Sequence, residues 1–266
     1  MRRTNSMKWL ISGLVAFVVA LPAIAQESKS AFGPGEQMTF KVDYLGMNAG
    51  TTTVTVGSNT TQWGHKVWPL VALAKTESVF RMYPVRDKFI SYWDPAENRS
   101  IGSDLFADEG NKKRRQRIKV DHGEKKAQVI KQDEGGDERE GFYDVSEKTF
   151  DIASAAYALR NMPLEVGSSF ELPIFTGAKE FVMTAKVVGK QTLATPMGDK
   201  EVFKVAVATA FTGKMAAKRD MHAYFTTDKS HVLVKLEAEL VLGTLTANLV
   251  EYKEGRQLAA TPSNGG

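Results

Sequence analysis

The fold is decided by the stretch MTFKVDYLGMNAGTTTVTV, residues 38–56. Its first seven residues alternate apolar and polar side chains, the period of two expected of a strand with one buried face. The residues from Leu45 to Gly50 are predicted to turn the chain, with Gly46 and Gly50 free to adopt positive φ. Residues 51–56 are dense in β-branched side chains and predict the return strand of a β-hairpin.

The strand pattern continues along most of the chain. Further strands are predicted at 66–76, 79–83, 88–93, 101–106, 117–120, 125–130, 169–174, 181–188, 202–209, 221–225, 232–242 and 245–252. Turn residues separate most of them, as at Asp121-His122-Gly123. The pattern predicts a mainly β protein with a curved, mostly antiparallel sheet or open barrel of about 10–12 strands.

Two segments interrupt the strand pattern. Residues 132–141 are almost entirely charged or glycine, which predicts an exposed connection between two blocks of strands. In residues 151–161, Ile152, Ala155 and Leu159 recur at helical spacing, and Asp151 can cap the start. This one short helix is apolar on most sides, so we expect it to pack on the sheet.

The first 25 residues have the pattern of a secretory signal peptide. Arg2, Arg3 and Lys8 precede a short apolar run, and the leader ends in Ala23-Ile24-Ala25. Cleavage is therefore expected after Ala25, and the mature protein is expected in the periplasm. The chain contains no cysteine, so neither a bacterial lipoprotein anchor nor a disulfide is expected. No later stretch is long or apolar enough to predict a transmembrane anchor in the mature chain.

Composition limits the classes of partner. The 35 basic and 31 acidic residues become nearly balanced once the three cations of the leader are removed, so nucleic acid is not an expected partner. Residues 26–253 are predicted to form a single β-rich domain, and residues 254–266 are predicted to be a disordered tail.

Several stretches carry a resemblance to a known family. They are GEQMTF at 35–40, YLGMNAG at 44–50, DIASAAYALR at 151–160 and LGTLTA at 242–247, with shorter matches at Val166-Gly167, Pro196-Met197-Gly198 and Thr227-Asp228. Across residues 33–252 the chain resembles the exported bacterial proteins known as domain of unknown function 3108. The resemblance implies an envelope protein of antiparallel β structure and supplies no catalytic residues. A looser resemblance of fold links it to periplasmic lipoprotein carriers, whose unclosed barrel holds acyl chains beneath a small helix.

The chain shows little sign of metal or catalytic chemistry. A hairpin at 227–230 would hold His222 and His231 roughly 13 Å apart, too far for one zinc ion, so no metal or cofactor is expected. His65 and His122 are interpreted as exposed. The sequence lacks the common nucleophile motifs and a glycine-rich phosphate loop. A hydrolase remains an alternative if carboxylates converge, and the candidates are Asp43, Glu77, Asp87 and Asp104.

Aromatic residues suggest a binding surface. Eight of them fall in predicted strands or on the helix and could line a concave apolar face: Tyr44, Trp68, Phe89, Trp93, Phe106, Tyr157, Phe203 and Phe225. One sheet and one helix need not fill a large curved interior. A cavity left there would suit an acyl chain, and all of these residues except Phe89 are taken as ligand-binding candidates.

The run KKRRQR at residues 112–117 is the strongest local charge feature. On a strand, Lys113, Arg115, Arg117 and Lys119 share one face, while Ile118 and Val120 point to the core. Such a stripe could contact anionic lipid headgroups or phosphates of lipopolysaccharide. Alternatively, it is a solvated face or protects an edge strand.

The leading hypothesis is a noncatalytic periplasmic envelope protein that binds a hydrophobic or amphipathic molecule on a concave β surface. The alternative from another class is an interaction module that docks a second envelope component through the basic strand face. A hydrolase is the third reading.

Overall fold

The computed structural model describes residues 30–76, 84–110, 112–208, 221–240 and 243–255. This part of the chain contains fifteen β-strands and one α-helix. The strands that precede the helix are β1 (Gln37–Tyr44), β2 (Met47–Val56), β3 (Thr60–Gln62), β4 (His65–Thr76), β5 (Arg86–Asp94), β6 (Arg99–Glu109), β7 (Lys112–Asp121), β8 (Lys126–Asp133) and β9 (Arg139–Asp144). Helix α1 (Ile152–Arg160) is followed by β10 (Ser169–Phe175), β11 (Glu180–Thr195), β12 (Gly198–Ala208), β13 (Met221–Thr226), β14 (Leu233–Leu240) and β15 (Gly243–Lys253).

The strands form one antiparallel sheet that is not closed. Its order is β10-β11-β12-β13-β14-β15-β1-β2-β4-β5-β6-β7-β8-β9, and the short β3 pairs with β4 alone. The first and last strands of the chain are therefore neighbours at the centre of the sheet, with Phe40 opposite Leu249. The predicted curved sheet or open barrel is confirmed, with more strands than expected. The predicted strand at 79–83 and the predicted leader lie outside the described residues, as does most of the predicted tail.

The first hairpin is tighter than predicted. Its turn is only Leu45-Gly46, with φ of 54° and 77°, and β2 already begins at Met47. Gly50 is not at positive φ; it is needed because a Cβ there would lie 2.2 Å from the carbonyl oxygen of Lys75 on β4. The register of β1 against β2 shifts after Val42, so the chain absorbs one extra residue as a bulge.

The charged segment 132–141 was predicted to connect two blocks of strands, and this prediction is wrong. The segment contains the end of β8, a turn and the start of β9, so it is a hairpin at one edge of the sheet. The blocks are joined instead by residues 145–168, which include α1. Asp151 caps the helix as predicted, because its side chain accepts a hydrogen bond from the Ser154 backbone N–H at 2.8 Å.

The helix packs inside the curve of the sheet. Ala155, Tyr157, Ala158 and Leu159 are buried in the main core with side chains from both ends of the sheet, including Leu70, Trp93, Leu172 and Phe225. Ile152, expected on the buried side, is 57% exposed. The sheet thus wraps round α1, which fills one end of the interior.

The two edges of the sheet meet through side chains. The rings of Tyr143, on β9, and Phe175, on β10, have centroids 5.6 Å apart. The backbone N–H and hydroxyl of Ser146 donate to the Glu180 carboxylate at 3.0 and 2.5 Å. We call the contact between β9 and β10 the seam. Packing and side-chain hydrogen bonds hold the seam together, since β9 and β10 share no backbone ladder in the described structure.

Candidate ligand-binding surface

The pairing register identifies which side chains face the interior. Ser91 on β5 faces inward, because its hydroxyl donates to the helix cap Asp151 at 2.6 Å. Phe89 and Trp93 lie on the same face of β5, and Leu105 lies opposite Phe89 on β6. Across the sheet, Val42, Ala247 and Leu236 also lie opposite one another on the inner face.

The inner face is apolar well beyond the part covered by the helix. Ala107, Val207, Ala238 and Leu240 are buried on this face, but other apolar side chains there are only partly buried, and Leu236 is 36% exposed. The set comprises Val42, Tyr44, Ala72, Phe89, Leu105, Met183, Met221, Leu236 and Leu245. We call these nine residues the inner apolar surface. Partly exposed apolar side chains on a concave face mark a surface suited to an apolar ligand.

The inner apolar surface faces the end of the sheet opposite the helix. Strand β1 runs from Gln37, beside the helix end, to Tyr44 at the β1–β2 turn, and Leu245 lies opposite Tyr44. Strand β5 starts at this same far end with Arg86 and reaches the helix end at Asp94. The interior is thus filled at one end and lined with partly exposed apolar side chains toward the other.

A buried ion pair closes the helix end. The Arg160 guanidinium donates to both carboxylate oxygens of Glu36 at 2.5 and 2.8 Å, and to the Ser230 carbonyl oxygen at 3.0 Å. It also lies over the rings of Phe32 and Tyr157, 5.2 and 5.1 Å from their centroids. Burial alone lowers the pKa of Arg160, but the hydrogen bonds and charge of Glu36 raise it above its ordinary value, so Arg160 keeps its positive charge.

A cleft of about 530 Å³ lies outside this ion pair. It is lined partly by Ala31, Asn98, Asn161 and His231. The Asn161 side chain accepts from the Ala31 N–H at 2.8 Å and donates to Asn98 at 2.6 Å. These polar groups thus bind one another.

A buried polar network lies under the start of the helix. Asp151 accepts from Ser91, whose hydroxyl is 3.2 Å from that of Ser100. Burial raises the pKa of Asp151. His122, expected to be exposed, is buried, with Nε2 2.7 Å from the Ser100 carbonyl oxygen and Nδ1 2.9 Å from that of Glu147. Burial lowers the pKa of His122, so the ring is neutral at neutral pH and donates to one of the two carbonyls.

The structure separates the predicted aromatic candidates. Trp93, Tyr157, Phe203 and Phe225 are closed into the core, with at most 6% of each exposed. The half-buried Trp68 packs against Phe32 with ring centroids 5.9 Å apart, at the helix end.

Two candidates lie elsewhere. Tyr44 belongs to the inner apolar surface. Phe106 does not, because it points outward beneath Arg115, whose guanidinium carbon is 5.9 Å from the ring centroid. The expected grouping of Phe106 with the concave face is wrong, since its neighbour Leu105 takes the inward position.

The predicted cationic stripe lies on the outer face of β7. Lys113, Arg115, Arg117 and Lys119 are all exposed there, while Ile118 is buried on the other face. Arg117 is held at 2.9 Å by the buried Asp104, which also accepts from the Tyr92 hydroxyl at 2.7 Å. Lys113 pairs with Glu134 at 3.4 Å, so Arg115 and Lys119 are the freer members of the stripe.

Three of the four carboxylates proposed for a hydrolase lie in the described residues, and these three do not converge. Asp87 lies on the inner face of β5, whereas Asp104 lies on the outer face of β6. Asp43 is on the outer face of β1, and Glu77 is outside the described residues. Within the described ranges no group of three or more metal-ligating side chains occurs. His231 instead approaches the Arg160 carbonyl oxygen at 2.8 Å.

The sequence pattern did not predict that some side chains of the basic run face the interior. Since Ile118 points inward, Gln116, Arg114 and Lys112 share its face by parity. It also missed Leu236 and Leu245, which have ordinary strand periodicity and gain significance only from their incomplete burial.

The fold and this surface define a class: an unclosed antiparallel sheet wrapped round one helix, with a partly exposed apolar interior. The chain belongs to a family of proteins of unknown function, DUF3108, whose model matches residues 39–250. The family resemblance noted in the sequence is thereby confirmed.

Two solved structures are similar to this chain. One is a β-barrel-like protein of domain of unknown function DUF1849 from Brucella abortus, with TM-score 0.54, 8% identity, and coverage of 84% of this chain and 98% of that chain. It shares the fold alone. The other is a "putative lipoprotein" from Parabacteroides distasonis, with TM-score 0.31, 12% identity and coverage of 85% and 99%. No curated protein matches the chain.

Among the described residues, no helix combines the length and apolar character needed to cross a membrane.

Proposed function

We propose that this protein is a noncatalytic protein of the bacterial periplasm that binds a hydrophobic or amphipathic envelope molecule on the inner apolar surface. The observation that carries the proposal is the partial exposure of Phe89, Leu105, Leu236 and Leu245 on the concave face of the sheet. A soluble domain gains stability by burying such side chains. Their exposure on a concave face therefore supports a bound molecule as their missing cover.

The shape of the interior supports the same proposal. The helix fills the end near Trp93, so a ligand would lie between α1 and the far end of the sheet. An acyl chain needs only apolar contact along its length, which the row from Leu105 through Phe89 to Ala72 offers across three strands. The periplasmic location rests on the predicted signal peptide.

A noncatalytic role is supported by the placement of the ionisable groups. The candidate carboxylates Asp87 and Asp104 lie on opposite faces, and Asp104 is engaged by Tyr92 and Arg117. Asp87 and Asp104 therefore cannot act as a general acid and base facing one cleft.

The test is to identify what copurifies with the protein. Lipids extracted from protein isolated from the periplasm would be analysed by mass spectrometry, together with native mass spectra of the intact protein. We expect bound amphiphile in the wild type and at least a severalfold loss in Leu236→Gln. The matched control is Leu73→Gln, because Leu73 is 50% exposed on the outer face of β4. Wild-type protein without ligand, and without affinity for added lipid, would contradict the proposal.

A second function is favoured by one observation, the outward display of four cations on β7. Under this alternative the stripe docks another envelope component by electrostatic complementarity. Crosslinking in cells tests it with Arg115→Glu and Lys119→Glu, which spare the Arg117–Asp104 pair. Loss of a single crosslinked partner supports docking, and undiminished capture rejects that surface.

A further inference from the structure

The basic run at residues 112–117 is divided between the two faces of the sheet. Lys113, Arg115 and Arg117 point outward, whereas Lys112 and Arg114 point inward. Arg114 lies opposite Ala107, on the same face of β6 as Leu105. The inner half of the run is therefore next to the inner apolar surface.

A second strand adds cations to this inner region. Lys131 on β8 lies opposite Gln116, which in turn lies opposite Leu105. Two strand spacings thus separate Leu105 from Lys131, a distance of roughly 10 Å. Across the next ladder Lys131 lies directly opposite Arg139, a like-charge pair that is unfavourable without a counter-ion.

Carboxylates pair with two of the four inner cations, and Lys112 and Lys131 have no ion pair among the described residues. Arg114 pairs with Glu109 at 3.2 Å, and Arg139 forms an ion pair with Asp133. Asp87 accepts a hydrogen bond from the Asp108 N–H at 3.0 Å. Lys131 is partly buried and has no ion pair within the part of the chain that the structure describes.

We propose that Lys131 binds the anionic head, a carboxylate or phosphate, of an amphiphile whose apolar chain lies on Leu105 and Phe89. This inference rests on the proposed function and specifies its ligand class. An ammonium beside apolar surface and opposite another cation is stabilised by a bound anion. The apolar row and Lys131 lie on one face of the sheet with Gln116 between them. The Gln116 amide donates to the Thr176 carbonyl oxygen at 3.3 Å, so a ligand that reaches both would pass beside this contact.

The experiment compares two probes that differ only in the head: 11-(dansylamino)undecanoic acid and its methyl ester, with affinity followed by dansyl fluorescence. We expect wild-type protein to bind the acid at least about tenfold more tightly than the ester, since hydrogen bonds between charged groups are strong. The variant Lys131→Gln should bind both probes with the affinity of the ester.

The control variant is Lys119→Gln, which removes one positive charge from the outer face of β7. It should keep the preference for the acid. Equal binding of both probes by the wild type would overturn the head-group site while leaving the proposed function standing. Failure of both probes to bind would overturn both. An equal loss of preference in the outer-face control would also overturn the site, because it would show a general effect of charge.

Competition distinguishes the source of the anion. Displacement of the acid, but not the ester, by millimolar sodium phosphate supports a site that also accepts free phosphate. Displacement by dodecanoate but not by phosphate supports a site that requires a bound chain. Equal displacement of acid and ester by phosphate contradicts a head-group site.

Discussion

Arg160 and Glu36 form a bidentate ion pair with only 1% of each side chain exposed, and it joins the last residue of α1 to the residue that precedes β1. The two residues are 124 positions apart in the chain. The same guanidinium binds the carbonyl oxygen of Ser230, between β13 and β14. One side chain therefore links the helix, the central strand and a turn, and fixes α1 at its end of the interior.

The first prediction concerns this pair. Replacing Glu36 by Gln leaves the Arg160 charge buried without its counter-ion, and we expect a loss of about 3–5 kcal/mol in the free energy of unfolding. Urea unfolding followed by circular dichroism measures it. The control is Glu201→Gln, which breaks the exposed Lys190–Glu201 pair and should cost less than about 1 kcal/mol. Similar losses in both variants would show that burial of the pair is unimportant.

The second prediction concerns the helix cap. Burial raises the pKa of Asp151, so the folded protein holds its proton to higher pH than the unfolded chain. Protonated Asp151 contributes its full stabilisation at a pH below its pKa in the unfolded chain. This stabilisation is lost as the pH rises through the pKa of Asp151 in the folded protein. Asp151→Asn keeps the acceptor for Ser154 and removes the charge, so it should remove this pH dependence without weakening the fold at pH 7.

Asp151→Ala is the comparison, because it also removes the cap. We expect it to lose about 1 kcal/mol or more. Thermal unfolding between pH 4 and pH 8 separates the two variants. If the Asn and Ala variants lost the same stability at pH 7, the ionised carboxylate would be required and this account of the cap would fail.

The third prediction concerns Gly50. An added Cβ would meet the Lys75 carbonyl oxygen at 2.2 Å, and backbone must move to accept it. Gly50→Ala should therefore destabilise the protein by about 1–3 kcal/mol. Gly189→Ala is the control, since nothing lies within 4 Å of its added Cβ. The measurement is the denaturant midpoint of each variant, taken under the same conditions. Equal midpoints for Gly50→Ala and Gly189→Ala would contradict the close approach of β2 and β4.

The fourth prediction concerns the seam between β9 and β10. Phe175 is 3% exposed and packs against Tyr143, so Phe175→Ala should cost about 3–5 kcal/mol. Phe142 is 69% exposed on the outer face of β9, and Phe142→Ala should have little effect. Hydrogen exchange of the amides of β9 should speed up in the Phe175 variant alone. Unchanged exchange would mean that packing at Phe175 does not close the seam.

Local pattern was sufficient to predict most of the elements of this fold, although not β3 or β9. Alternation in MTFKVDY predicted β1, and the spacing of Ile152, Ala155 and Leu159 with the Asp151 cap predicted α1. Both signals depend on neighbours in the chain. The hairpin at 132–141 was misread because its strands, REGFYD among them, lie at an edge and have little apolar surface to reveal them.

Pairing between distant strands could not be predicted in the same way. Nothing local places β15 beside β1, and this pairing puts Leu245 opposite Tyr44 on the inner face. Phe106 and Leu105 differ by one position, and only the register with β5 shows that Leu105 faces inward. The buried Arg160–Glu36 pair was unpredictable for the same reason.

The most direct test of the central claim is photocrosslinking with a twelve-carbon fatty acid that carries a diazirine at its apolar end. Illuminated protein would be digested, and the labelled residues identified by tandem mass spectrometry. We predict labels on Phe89, Leu105, Leu236 or Leu245, and their loss when unlabelled dodecanoate is added in excess. Labels confined to outward residues such as Leu73 and Val250, or labelling that excess dodecanoate leaves unchanged, would contradict binding within the curve of the sheet.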